Sequence, residues 1–183
     1  KNIELIVVDD SSPDRTHEKA VALTSKHDWK TPSRHKIVRN KKNLGICKTL
    51  NRGLSLASGD YIFILFSDNF LHSECIATMV AVAEQNIEFH GLLICDFYRV
   101  DFDSVIIGSY EPKFLGEGIL NKANLLEAIF TVSGDEFMTA PYLMSRESLK
   151  KMGGFDENFG CEDVEFYIRW AVGPGMLRVP EKL

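Results

Sequence analysis

The sequence predicts an α/β fold built on a mixed, mainly parallel sheet flanked by helices, forming a single domain over residues 1–183. Three observations carry that prediction. Ile3–Val8 and Tyr61–Phe66 are short, continuous apolar runs, the pattern of strands buried on both faces. Helical stretches alternate with them through the first half of the chain. Both runs stop abruptly at acidic clusters, Asp9-Asp10 and Ser67-Asp68, and parallel α/β sheets bind ligands beyond the carboxyl ends of their strands.

The elements follow in order. Ser12 and Pro13 read as an N-cap and first helical residue, opening a helix to about Lys26. Lys36–Arg39 is a second strand. Gly45–Ala57 is a helix with Ile46, Leu50, Gly53, Leu54 and Ala57 on one face. Ser58-Gly59-Asp60 turns the chain into the Tyr61–Phe66 strand, and a helix over Ser73–Gln85 precedes strands at Leu92–Val100 and Ser104–Tyr110. The alternation then loosens. Ala123–Thr131 reads as helical, Phe137–Met144 as extended and Ser145–Met152 as helical. Gly153-Gly154 breaks the chain before an amphipathic helix over Glu162–Ala171, with Val164, Tyr167, Ile168 and Ala171 on its apolar face.

Composition removes several function classes. With 183 residues, 45% of them hydrophobic and 26% charged, the chain buries roughly 70% of its unfolded surface around a core. No apolar run approaches the ~18 residues of a membrane span. The formal charge of −5 argues against a nucleic-acid binder. Eight of the 21 Lys and Arg residues, with one acid, lie between Lys26 and Lys48; that stretch reads as a solvated face or as a phosphate-attracting one. Cys47, Cys75, Cys95 and Cys161 show no metal-ligand spacing and read as reduced thiols of a cytoplasm-like compartment.

Three acidic points stand out: Asp9-Asp10, Asp68 and Glu162-Asp163. Carboxylates at strand ends are suited to a hard divalent cation and the phosphates it accompanies. They are equally suited to capping the helix that follows. Glu162-Asp163 opens a helix, where acids complement the dipole; an ionised carboxylate held there also meets the needs of a general base. There is no GxGxxG or GxxxxGK[ST] loop, no HExxH and no GxSxG elbow. Composition alone leaves these alternatives open.

Three blocks go further: IELIVVDDSSPDRT (Ile3–Thr16), NLGICKTLNRGLSLASGDYIFILFSDN (Asn43–Asn69) and GGFDENFGCEDVEFYIRWA (Gly153–Ala171). In that order and spacing they resemble family 2 glycosyltransferases of the GT-A fold, a Rossmann-like architecture. The resemblance implies a nucleotide-sugar-binding half at 1–100 and an acceptor-side half at 101–183. It implies that Asp9 and Asp10 hold the base and ribose of a nucleotide-sugar donor, with Ser11, Asn43, Gly45, Asn51 and Ser67 alongside. For Gly45 and Gly53 the plain structural reading is close packing. Asp68 falls at the metal-ligating carboxylate for Mg²⁺ or Mn²⁺, and Asp163 at the catalytic base. Gly154, Phe155, Asp156 and Glu162 match the segment that shapes the acceptor side, and the loops Gly108–Glu117 and Asn121–Glu136 are expected to read the acceptor.

The implied reaction is an inverting transfer from a nucleoside-diphosphate sugar, by analogy a UDP-sugar, to a hydroxyl of a glycan or lipid-linked acceptor in cell-surface or capsular glycan synthesis. The implied setting is cytoplasmic, extending to the cytoplasmic face of a membrane, without nucleic acid and compatible with a homo-oligomer. Two features depart from the family pattern. Phe66 stands where its DxD element has a first acid, and the family's opening apolar strand is expected ahead of Lys1. These favour an alternative, a non-catalytic GT-A-fold module binding nucleotide, glycan or a partner subunit; the retained Asp68 and Asp163 favour the enzyme.

Overall fold

Alternating apolar runs and helical stretches do give a mixed α/β structure. The computed structural model describes residues 3–26, 34–111, 116–131, 141–159 and 162–183. Part of the expected extended segment (137–140) and Gly160-Cys161 lie outside them. The chain divides into two compact units, Lys1–Asp60 with Gly154–Glu162, and Tyr61–Gly153 with Asp163–Leu183.

In the first unit, β1 (Glu4–Asp9) pairs in parallel with β2 (Arg34–Arg39), Asp9 lying opposite Arg39. Strand β1 is half-buried from Glu4 to Val8, less covered than its apolar run predicts. Helix α1 spans Thr16–Lys26 and α2 spans Ile46–Leu56. The predicted start of α1 at Pro13 is corrected to Thr16. The Asp14 carboxylate accepts the Thr16 N–H at 3.0 Å and its hydroxyl at 2.6 Å, so Asp14 and not Ser12 tethers the first turn. In α2 the buried residue of the first turn is Cys47, while Ile46 is 45% exposed, so the packed face is rotated from the predicted one.

One ion pair fastens α2 to the sheet. Lys36 Nζ lies 2.9 Å from Glu4 Oε1 and donates to the Leu56 carbonyl at 2.7 Å. The Ser58 N–H and hydroxyl donate to Glu4 Oε2. Burial pushes the Glu4 carboxyl up, but Lys36 and the Ser58 donors outweigh it and bring its pKa down to about 2.

The second unit holds β3 (Tyr61–Phe63), α3 (Cys75–Gln85), β4 (Leu92–Val100), β5 (Ile106–Tyr110), β6 (Gly118–Ile119), α4 (Lys122–Thr131), β7 (Tyr142–Ser145), α5 (Arg146–Met152), α6 (Glu162–Val172, whose first residue belongs to the other unit) and β8 (Met176–Lys182). The sheet order is β3-β7-β4-β8-β6, with β5 on β4. Strands β3, β4 and β8 run one way; β7 lies antiparallel between β3 and β4, and β5 and β6 also run against them. The mixed class is therefore as expected, with β5, β6 and the interposed β7 supplying the antiparallel pairings.

Strand β8 has no counterpart in the prediction. Arg178, Pro180, Glu181 and Lys182 interrupt its apolar pattern, yet Met176–Val179 are buried. Arg178 enters the interior by pairing with Asp96 on β4: Nε and Nη2 donate to the two carboxylate oxygens at 2.8 and 2.6 Å, and Nη1 donates to the Gly116 carbonyl. Such a bidentate pair satisfies both charges where water does not reach. Cys75, Met79, Leu93, Cys95, Leu143 and Leu177 pack the core between α3 and the sheet.

Candidate functional site

Asp9-Asp10 lies at a strand end as expected, whereas the strand expected over Tyr61–Phe66 is shorter, β3 stopping at Phe63, five residues before Asp68. Asp9 is the last residue of β1, Asp10 follows it, and Asp68 sits in the turn after β3. What each carboxylate does differs.

Asp9 is 5% exposed. Its Oδ1 accepts the Ser12 N–H at 3.1 Å, and Oδ2 faces Arg39 Nε at 3.1 Å. Arg39 in turn donates to the Ser12 carbonyl. The Asp9 carboxylate is thus turned inward, between the Ser12 amide and the Arg39 guanidinium. Ser11, between the two acids and the turn, has φ 64, a left-handed conformation unusual for a side chain other than glycine.

Asp10 organises the next loop. Its Oδ1 accepts from Asn40 Nδ2 at 2.6 Å and from the Leu44 N–H at 2.9 Å, and its Oδ2 accepts the Gly45 N–H at 2.9 Å. Partial burial pushes the Asp10 carboxyl up; donors from Asn40, Leu44, Thr49 and Gly45 outweigh that and hold it below the ordinary value. Asn43 Oδ1 also accepts the Gly45 N–H. Gly45 has φ 87 and ψ 164, and a Cβ there would meet nothing within 4 Å. Its need for glycine is conformational and not the close packing expected. At Gly53 a Cβ would meet Val8 Cγ2 at 3.5 Å, ordinary van der Waals contact, so the close packing expected there does not demand glycine.

Asn51 is not turned toward the Asp10 loop. Its Nδ2 donates to the Phe155 carbonyl and to Glu157 Oε1, and its Oδ1 accepts the Phe155 N–H at 2.8 Å. It therefore holds the expected acceptor-side segment, in which Phe155 is buried and Asp156 is exposed. Asp156 Oδ1 accepts the Asn158 N–H, closing a local turn. Gly154 lies against the same amide.

In the second unit, Ser67 and Asp68 are exposed. Asp68 borders a cavity of about 330 Å³ whose walls include Phe63, Phe66, Phe97, Tyr98 and Arg99. Phe66, at the position of the missing acid, adds a ring to this wall. Among the described residues no three His, Cys, Asp or Glu side chains gather to hold a metal ion. One exposed carboxylate fits a divalent ion only where other oxygen ligands, such as phosphates, complete its shell.

Asp163 is in the first turn of α6, half-buried, with Oδ1 accepting the Val164 N–H. Its placement follows from the aromatic face of α6. Phe166 and Tyr167 lie with ring centroids 5.7 Å from Tyr142 on β7, and Phe166 meets Trp170 at 5.7 Å. The buried face is Phe166, Tyr167, Trp170 and Ala171, so Val164 and Ile168 of the predicted face are only half-buried. Burial, reinforced by neighbours including Tyr142 and Asp163, pushes the Tyr167 phenol well up and keeps it neutral. Arg169 pairs with Glu165 and donates to the Met152 and Gly153 carbonyls, tying α6 to the end of α5.

Asn40 is the residue the sequence reading missed. It is 3% exposed, yet an Asn just after a strand looks like any turn residue.

The model for "Glycosyl transferase family 2" matches residues 1–139. A dolichol-phosphate mannosyltransferase from Pyrococcus furiosus is 42% identical over 67 residues, covering 37% of this chain and 17% of that protein. A poly-beta-1,6-N-acetyl-D-glucosamine synthase from Staphylococcus epidermidis is 26% identical over 165 residues, covering 88% of this chain and 37% of that one. The mannosyltransferase PcManGT of Pyrobaculum calidifontis, solved with GDP-Man and Mn²⁺, superposes with TM-score 0.62 at 17% identity, covering 98% of this chain and 45% of that one. The chain spans less than half the length of each of these three. The match over residues 1–139 places this chain in glycosyl transferase family 2.

Proposed function

We propose that this chain is the sugar-transferring region of an inverting, metal-dependent glycosyltransferase acting in cell-surface glycan synthesis. Family membership over most of the chain carries the reading. The names of two relatives, a glucosamine-polymer synthase and a dolichol-phosphate mannosyltransferase, support a glycan or lipid-linked acceptor. A neighbour holding GDP-Man and Mn²⁺ supports a nucleoside-diphosphate-sugar donor and a divalent ion; the sequence resemblance points to a UDP-sugar.

In this reading Asp10, Ser11, Asn43, Gly45 and Ser67 serve the donor. Asp68 would hold Mg²⁺ or Mn²⁺ together with the donor's phosphates, and the ion would supply charge stabilisation for the departing diphosphate. Asp163 takes the proton of the acceptor hydroxyl as that oxygen attacks the anomeric carbon from the face opposite the leaving group. One displacement inverts the configuration. Gly154, Phe155, Asp156 and Glu162 shape the acceptor side. No helix among the described residues is long and apolar enough to cross a membrane. The reading places the chain in the cytoplasm or at the cytoplasmic membrane face.

Phe66 and the single exposed carboxylate at Asp68 favour a second reading, a non-catalytic module that binds nucleotide or glycan. Release of nucleoside diphosphate from UDP- and GDP-sugars in Mn²⁺ separates the two. The enzyme releases one of them, and Asp163→Asn abolishes release while leaving donor binding within a few-fold. A module binds without release.

A further inference from the structure

The Asp10 loop depends on a residue that lies outside the three sequence blocks carrying the resemblance. We propose that Asn40 is the positioning residue of the donor site, an inference that rests on the reading of Asp10, Asn43 and Gly45 as donor-side residues. Asn40 follows β2 and is 3% exposed, and its polar atoms reach in three directions. Its N–H donates to the Asp9 carbonyl at 2.8 Å, continuing the β1–β2 pairing by one residue. Its Nδ2 donates to Asp10 Oδ1 at 2.6 Å and to Thr49 Oγ1 of α2 at 3.0 Å. Its Oδ1 accepts from Arg52 Nη1, and Arg52 is fixed by a second bond from that nitrogen to the Arg39 carbonyl at 2.9 Å.

A buried amide saturated in this way has one orientation, because flipping it would set Nδ2 against the Arg52 guanidinium and Oδ1 against the Asp10 carboxylate. The Asp10 carboxylate is thereby fixed, and with it the Leu44 and Gly45 amides that donate to its two oxygens. A glycine at φ 87 has many alternatives open to it, so the conformation of residues 43–45 is held from outside, by Asp10 and Asn43, and Asn40 holds Asp10.

The charged groups near this dyad are Asp9 on β1, Arg39 on β2 and Arg52 on α2. Asn40→Asp keeps the shape and keeps Arg52 partnered, but replaces the donor to Asp10 with a second carboxylate. At neutral pH the two acids repel; as pH falls, the shared proton restores a donor between them. A residue that merely filled space would show no such pH dependence.

The test has two arms on the chain as it stands. The first is amide hydrogen exchange at Leu44 and Gly45. Asn40→Ala is expected to accelerate both by about tenfold or more, the loss of one buried hydrogen-bond network member. The second is titration with UDP and with GDP in Mn²⁺. Asn40→Asp is expected to bind about tenfold more weakly than wild type near pH 7.5 and to recover as pH is lowered, with wild type flat over that range. Unchanged exchange in Asn40→Ala, or Asn40→Asp affinity equal to wild type at pH 7.5, overturns the proposal. If wild type binds neither nucleotide, the donor reading itself fails, and accelerated exchange still assigns the loop to Asn40.

Discussion

The Cβ that Gly154 lacks would lie 2.3 Å from Oδ1 of Asn51, the atom that accepts the Phe155 N–H. Helix α2 and the loop after Gly153 therefore meet through one amide and one missing methyl. Gly154→Ala is expected to push Asn51 off Phe155 and cost about 1–3 kcal/mol, with Asn51→Ala costing a similar amount by removing both of its hydrogen bonds to the buried Phe155 backbone. Urea unfolding midpoints check both, and the double variant should cost less than the sum.

Ser11 gives a prediction of the opposite sign. Its φ of 64 costs a residue with a Cβ about 1 kcal/mol or more. Ser11→Gly is expected to be neutral or stabilising by up to ~1 kcal/mol, and Ser11→Val to be destabilising by about 1–2 kcal/mol. Thermal melting of the two variants side by side decides the matter.

Acid should loosen the first unit through Glu4. Its folded-state pKa, about 2, is depressed below the ordinary 4.5. A depressed carboxyl contributes stability that is fully present above its unfolded value and lost as pH falls through the folded one. The loss contributed by Glu4 therefore runs from near pH 4.5 down to about 2. Glu4→Gln removes that component, so stability followed by urea titration should fall less steeply over this window than in wild type.

The buried pair of the second unit should behave asymmetrically. Asp96→Ala strands Arg178 in the sheet interior and is expected to cost about 3–5 kcal/mol. Replacing both partners, Asp96→Leu with Arg178→Met, should recover most of that loss, since no charge is then left alone. Chemical denaturation of the three proteins measures the difference.

These contrasts show where the sequence was legible. Helices α2, α3 and α6 and strand β4 lie within one or two residues of their predicted spans, because apolar spacing marks the type and extent of an element even where, as in α2 and α6, it misplaces the buried face. Strand β8 was hidden because the residue that enters the core is an arginine, and only its pairing with Asp96 across β4 makes that tolerable. Strand β7 was seen as extended, but its insertion between β3 and β4 is long-range information that no local pattern carries. The acids at the end of β1 are legible by type and position, but Asp68 lies five residues past β3, and the division of labour between Asp9 and Asp10 is not legible. Adjacent residues of a strand face opposite ways, so Asp9 turns inward to Arg39 while Asp10 reaches the Leu44-Gly45 loop. Asn40 carries no signal at all until its partners are in place.

Calorimetric titration of the chain with UDP and with GDP, each with and without Mn²⁺, in wild type and Asp68→Ala, tests the metal-dependent donor site itself. One nucleotide is expected to bind, only with the ion present, and Asp68→Ala to weaken that binding by about tenfold or more, the loss of a charged ligand to the metal. Binding that is indifferent to Mn²⁺ and unchanged in Asp68→Ala would contradict the metal-dependent donor site.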